Sequence, residues 1–137
     1  MQRTLLVFVA ALTFGVASCG KSDAQKPTFP VSGQILLPDG KPAEHALVIF
    51  HPVGQATGPK PRGKVLANGT YLLTTYNPDD GAPTGEYQVT VELWLPGRLD
   101  ENPSNRLNAK YSKPESSGLT ATVGTGPAEI KTITLKR

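Results

Sequence analysis

The chain has 137 residues, and Lys and Arg together number 14 against 11 Asp and Glu, a net charge of +3. That length suits one ordinary domain, and so slight a positive excess is too small to imply a nucleic-acid partner. Charged residues make up only 18% of the chain while 14 Gly and 13 Pro punctuate it, which points to many turns, short strands and little helix.

Residues 1–18 read as a targeting segment. Arg3 supplies a positive start, and Leu5 to Val16 is an apolar run too short to span a bilayer comfortably. The run ends at Val16-Ala17-Ser18-Cys19. This resembles the lipobox of bacterial lipoproteins, in which an aliphatic residue and two small ones precede a Cys. The resemblance implies cleavage before Cys19 and a diacylglycerol on its thiol. Cys19 is the only Cys, so it has no intramolecular disulfide partner. The alternative is an ordinary secretory peptide cut near Ser18. That would leave a lone thiol in an oxidising compartment, which is a liability. Removal of residues 1–18 takes away Arg3 and lowers the net charge by one. Gly20 to Pro27 is polar and small and reads as a short flexible tether. The expected division is therefore a signal peptide at 1–18, a lipidated Cys and tether at 19–28, and a folded domain at 29–137. Neither Gly20 nor Lys21 is the Asp that holds some lipoproteins at the inner membrane. The expectation is thus the outer membrane or cell surface.

The folded domain opens with Val31 to Pro52. Val31, Gly33, Ile35 and Leu37 alternate with Ser32, Gln34 and Leu36, and Ala46 to Phe50 is a continuous apolar run. Alternation is the period of a half-buried strand, and a short β-branched run suits a more buried one. Pro38-Asp39-Gly40-Lys41-Pro42 lies between them and predicts a hairpin turn. Val53 to Pro61 reads as a loop and Arg62 to Leu66 as a short strand. Ala67-Asn68-Gly69-Thr70 predicts a second hairpin through a type I′ turn. Tyr71 to Thr75 returns with Tyr71 and Leu73 on one face, and Tyr76 to Thr84 is another loop. The cleanest strand runs from Gly85: Tyr87, Val89, Val91 and Leu93 face one way, and Gln88, Thr90, Glu92 and Trp94 the other. Leu95 to Gly118 is long for a structureless loop, which predicts a short helix around Ser104 to Tyr111. Leu119, Ala121 and Val123 mark one more strand, and Ile133 and Leu135 the last.

About seven short strands with turns between them predict an all-β, antiparallel two-sheet sandwich. The order Gly33, Asp39-Gly40-Lys41-Pro42, Ala46-x-Val48-x-Phe50, Asn68-Gly69-Thr70-Tyr71-x-Leu73, Gly85-x-Tyr87-x-Val89-x-Val91 resembles the carboxypeptidase regulatory-like domain. The resemblance covers roughly Val31 to Leu135 and is weakest from Pro96 to Gly118. It implies a transthyretin-like (prealbumin-like) sandwich, immunoglobulin-like in its architecture, of the kind that forms single-domain bacterial lipoproteins.

Candidate chemistry is sparse. Gly58 to Val65 nearly spells a phosphate-binding loop. Its two Pro, however, remove amide donors, Val65 stands where a hydroxyl would hold Mg²⁺, and a turn follows where a helix is required. His45 and His51 lack a metal-ligand spacing. Asp79-Asp80-Gly81 with Glu86 lacks the spacing of a Ca²⁺ loop. Lys60, Arg62 and Lys64 share a face at strand spacing and suit a charged edge that discourages strand addition. Iron-binding and hydrolase relatives of the sandwich carry a His-x-His pair or a C-terminal tetrapeptide ending in Ser, and this chain has neither. Trp94 is the residue of most interest. Exposed, it would be a stacking platform or interface anchor. The expectation is that the 95–118 segment covers it.

These readings lead to one functional expectation. The chain is a lipid-anchored, non-catalytic envelope module with an accessory, structural or adhesive role. It needs no metal or cofactor, and its partners are the membrane through Cys19 and an envelope protein or polysaccharide. The alternative is a module that binds envelope glycan or peptide through Trp94, Tyr76 and neighbouring loops.

Overall fold

The computed structural model describes residues 24–55, 58–95 and 104–136. The protein is an all-β sandwich. Seven strands form two sheets. One sheet has the order β10-β7-β3-β4, with β3 at Leu47–Pro52, β4 at Arg62–Lys64, β7 at Gly85–Glu92 and β10 at Thr120–Val123. The other has the order β11-β2-β5, with β2 at Val31–Leu36, β5 at Thr70–Leu72 and β11 at Ala128–Thr134. Two short ribbons flank them. One pairs β1 (Thr28–Phe29) with β6 (Ala82–Pro83), the other β8 (Trp94–Leu95) with β9 (Ser104–Asn105).

Alternation explains the core. Val31 and Ile35 of β2, Val48 and Phe50 of β3, and Tyr87, Val89 and Val91 of β7 point inward with Leu73, Val123 and Leu135, all buried in one cluster. The Phe50 and Tyr87 rings meet at 5.5 Å between centroids with a 50° tilt, a geometry in which one ring edge approaches the other face.

The hairpins differ from expectation. β2 and β3 are not partners, because they lie in different sheets. The turn after β2 closes locally, with the Leu37 amide donating to Lys41 at 2.7 Å and the Ala43 amide to Ile35 at 3.1 Å. Pro42 has no amide to extend that return leg. His45 then adopts φ 69, and the chain crosses to the other sheet. The Asn68-Gly69 turn is not type I′, which needs positive φ at both residues. Only Gly69 has it, at φ 85. The Gly69 amide donates to Leu66 at 2.8 Å and the Leu66 amide to Thr70 at 2.8 Å, the pattern of a type I turn closed by a glycine bulge. Its flanking strands, β4 and β5, go to opposite sheets. They rejoin where Arg62 and Thr74 exchange amide-to-carbonyl bonds of 3.0 and 2.8 Å. The sandwich is closed along that side.

On the other side, β11 pairs with β2 in parallel, not antiparallel. The link from β10 to β11 changes sheets at the end where β2 also begins, so both strands run the same way. The expected helix at Ser104 to Tyr111 is displaced. A 3-10 turn occupies Ala109–Ser112 and a single turn of α-helix, α1, occupies Pro114–Ser117. Asn105 holds the preceding segment: its Oδ1 accepts the Leu93 and Leu107 amides at 3.0 and 3.1 Å, and its Nδ2 donates to Ser112 Oγ at 2.7 Å. Lys113, at φ −119, is kept extended by the proline that follows. Pro114 opens α1 and Gly118, at φ 66, ends it. Tyr111 is thereby buried, and its hydroxyl accepts the Lys136 amide at 2.7 Å. This segment packs along the upper half of β7, where β10 does not reach.

Candidate functional site

The register places two poles at opposite ends of the sandwich. β2 and β11 begin, and β3 and β10 end, at the pole where β7 starts. Trp94 stands just beyond the far end of β7. It is 51% exposed, so the expectation that the 95–118 segment buries it is overturned. β9 pairs with its backbone, and the 3-10 turn and α1 pack on β7 instead. Glu92 lies two residues back on the same strand face, and its Oε2 accepts the indole Nε1–H at 2.9 Å. The result is an exposed aromatic face with a carboxylate at its edge.

Tyr76 lies at the other pole. Its hydroxyl accepts the Lys26 amide at 3.3 Å, and the Lys26 Nζ donates to Gln55 Oε1 at 2.8 Å. The structure therefore does not bring Trp94 and Tyr76 together. Cys19 lies outside the described residues.

The remaining candidates are also separated. His45 is exposed beside Glu44, with 3.6 Å between Nε2 and Oε1. His51 sits on the outer face of β3, and its Nε2 lies 2.9 Å from Thr90 Oγ1. Thr90 belongs to the polar face of β7, yet it is buried, since the 3-10 turn and α1 pack over that strand. Burial lowers the His51 pKa and Lys60 adds to the effect, while Glu92 and Glu115 oppose it. In the unfolded chain the imidazole takes up its proton near the ordinary value of about 6.5, and in the folded protein only at lower pH. The stability contributed by neutral His51 is complete above that ordinary value and is lost as pH falls below it. The melting temperature is expected to drop on acidification through this window, and less steeply in His51→Gln. Parallel melting curves from pH 7.5 to 5 for the two proteins check it, and equal slopes would assign the drop to another group.

Asp80 is folded onto its own loop. Its Oδ1 accepts the Thr75 amide at 2.7 Å, and its Oδ2 accepts the Tyr76 and Asn77 amides at 3.0 and 2.9 Å. Partial burial pushes its pKa up, but the amides of Thr75, Asn77 and Tyr76 outweigh that and hold it low. A carboxylate engaged in this way caps a turn. Among the described residues no group of three or more His, Cys, Asp and Glu is placed to hold a metal ion.

Two exposed leucines were not singled out in the sequence. Leu66 is 55% and Leu72 49% exposed, and both border shallow grooves beside β4 and β5. The signal was present for Leu72, because an inward Tyr71 and Leu73 require an outward residue between them.

No family model matches the sequence, and no curated protein matches it. Among solved structures, the chain has a distant likeness to the crystal structure of a 9R-lipoxygenase from Cyanothece, with 19% identity and a TM-score of 0.41. The alignment covers 80% of this chain and 16% of that one, so the chain spans a small part of that enzyme's length.

Proposed function

We propose that the protein is a lipid-anchored, non-catalytic β-sandwich module of the bacterial cell envelope, with an accessory, structural or adhesive role. The observation that carries this reading is Val16-Ala17-Ser18-Cys19 at the end of an apolar run, nine residues before β1. The motif supplies a thiol for acylation, and the sandwich supplies a body to be displayed. The order of turn and strand signals that resembles a carboxypeptidase regulatory-like domain supports an accessory role. The outer membrane or cell surface is the address that Gly20 and Lys21 favour. Two anchoring signals, or more than one acyl chain, are needed for stable membrane attachment, and a diacylglycerol brings two chains. Cys19→Ser is therefore expected to move the protein from the membrane fraction to the soluble fraction. Fractionation of cells expressing each form, with mass spectrometry of the mature N-terminus, checks this. A variant that stays membrane-bound would overturn the anchor.

The exposure of Trp94 favours a second reading, in which the module also binds envelope glycan or peptide. An indole face offers a stacking surface to a sugar ring, and Glu92 offers an acceptor for hydroxyl groups. Tyr76, at the other pole, takes no part in such a site. Titration with isolated envelope polysaccharide, read by Trp94 fluorescence, tests this reading, and an unchanged spectrum at saturating polysaccharide counts against it.

A further inference from the structure

We infer that the pole bearing Lys26, Val53 and Tyr76 rests against the bilayer, and that the Trp94 pole is held away from it. The inference builds on the lipid anchor at Cys19 and adds an orientation and a membrane-facing surface. Its basis is chain length. Between Cys19 and Lys26 there are seven peptide units, which reach at most about 25 Å when fully stretched. Lys26 is already fixed to the body: its amide is bound to Tyr76 and its ammonium to Gln55. Two residues later β1 pairs with β6, directly before β7 begins. β7 has eight residues, a rise of roughly 26 Å, and Trp94 lies two residues beyond its end.

Turning the Trp94 pole onto the bilayer would lift Lys26 by about the length of β7. That demands nearly all the reach of the connecting chain and leaves it almost no conformational freedom. With the Lys26 pole down, no such extension is required. Val53 is exposed at this pole, the residue after β3, with its amide donating to Glu86 at 2.9 Å. It offers an apolar contact to the interface. Among the described residues the exposed charges at this pole are Lys26 and Lys60 on one side and Glu86 and Glu129, the second residue of β11, on the other, so they nearly cancel. The orientation therefore follows from the leash and not from attraction to anionic lipid. It leaves the Trp94 face open to partners beyond the membrane surface.

The test uses residues 19–137 coupled chemically at Cys19 to a maleimide lipid in phosphatidylcholine vesicles that carry a dansyl headgroup acceptor. Trp94 is the only Trp in the chain, so energy transfer from it reports one position. In a Val53→Trp, Trp94→Phe variant the single donor moves to the anchored pole. Transfer from that donor is expected to exceed transfer from Trp94 by roughly twofold or more, given the pole-to-pole distance. Should Val53→Trp not fold, Thr125→Trp in the same background places the donor on the exposed turn between β10 and β11 at the same pole. Equal transfer from both poles, or more from Trp94, would overturn the orientation. Because the coupling is chemical, the result does not depend on acylation in the cell, which Cys19→Ser tests separately.

Discussion

Gly81→Ala is expected to lower the unfolding free energy by about 3 kcal/mol or more and to detach β1 from the body. Two costs coincide there. Gly81 has φ +85, a region that costs an L-residue about 1–2 kcal/mol. A Cβ at this position would also collide with the carbonyl oxygen of Phe29 and lie 2.8 Å from the Pro30 Cα. Neither of those is the yielding end of a side chain, so the backbone of β1 must move. Gly81 is itself held, its amide donating to Leu73 at 2.9 Å and its carbonyl accepting the Thr75 hydroxyl at 2.6 Å. β1 therefore gives way first, which frees Thr28 and Phe29 from Pro83 and Ala82. Urea denaturation of the variant and the parent measures the loss. Limited proteolysis near residue 29 reports the release of β1. A loss below about 1 kcal/mol would mean that the β1–β6 ribbon adapts without strain. The substitution also bears on orientation, since freeing β1 lengthens the leash and should reduce the difference in energy transfer between the two poles.

The sandwich was legible because burial is written in the sequence at period two. Tyr87, Val89, Val91 and Leu93 alternate with polar residues, and all four are buried. Tyr71 and Leu73 show the same rule. Pairing was less legible, because a turn signal says where the chain bends and not which sheet the next strand joins. Pro38 to Pro42 does bend the chain, but the crossing to the other sheet depends on His45 at φ 69, and no side-chain rule assigns that conformation to His. The parallel pairing of β11 with β2 was hidden for a related reason. It follows from where the β10–β11 link crosses between sheets, a property of the assembled layers. Trp94 was misread because its surroundings were judged by the length of the following segment. Asn105 and Pro114 direct that segment onto β7, so its apolar residues Leu107 and Tyr111 pack on the core and not on the indole. Cys19 remains a reading of the sequence, carried by the four residues that end the apolar run.

Gly33→Val is expected to cost about 3 kcal/mol, the upper part of the range for forcing carbon into a packed core. Gly33 sits at an inward position of β2, where alternation calls for an apolar side chain. It is opposite Tyr71 in register, and the ring of Tyr71 fills the space that a side chain on Gly33 would take. A Cβ there would overlap the Tyr71 hydroxyl and lie 2.6 Å from the ring carbon that bears it. An aromatic ring laid over a strand glycine restores the packing that the glycine lacks. The arrangement has a flaw, because the Tyr71 hydroxyl is buried without a hydrogen-bond partner among the described residues, and burial raises its pKa far above the usual phenol value. Removing an unpaired buried hydroxyl spares a desolvation cost of about 1–3 kcal/mol, so Tyr71→Phe should stabilise the protein while Gly33→Val destabilises it. The two residues occupy one space, so their effects should not add. In a cycle pairing Gly33→Ala with Tyr71→Leu, the double variant is expected to be more stable than the sum of the singles by at least about 1 kcal/mol, within the range for residues in contact. Strict additivity would mean that the ring does not rest on Gly33 in solution, and a destabilised Tyr71→Phe would mean that its hydroxyl has a partner there.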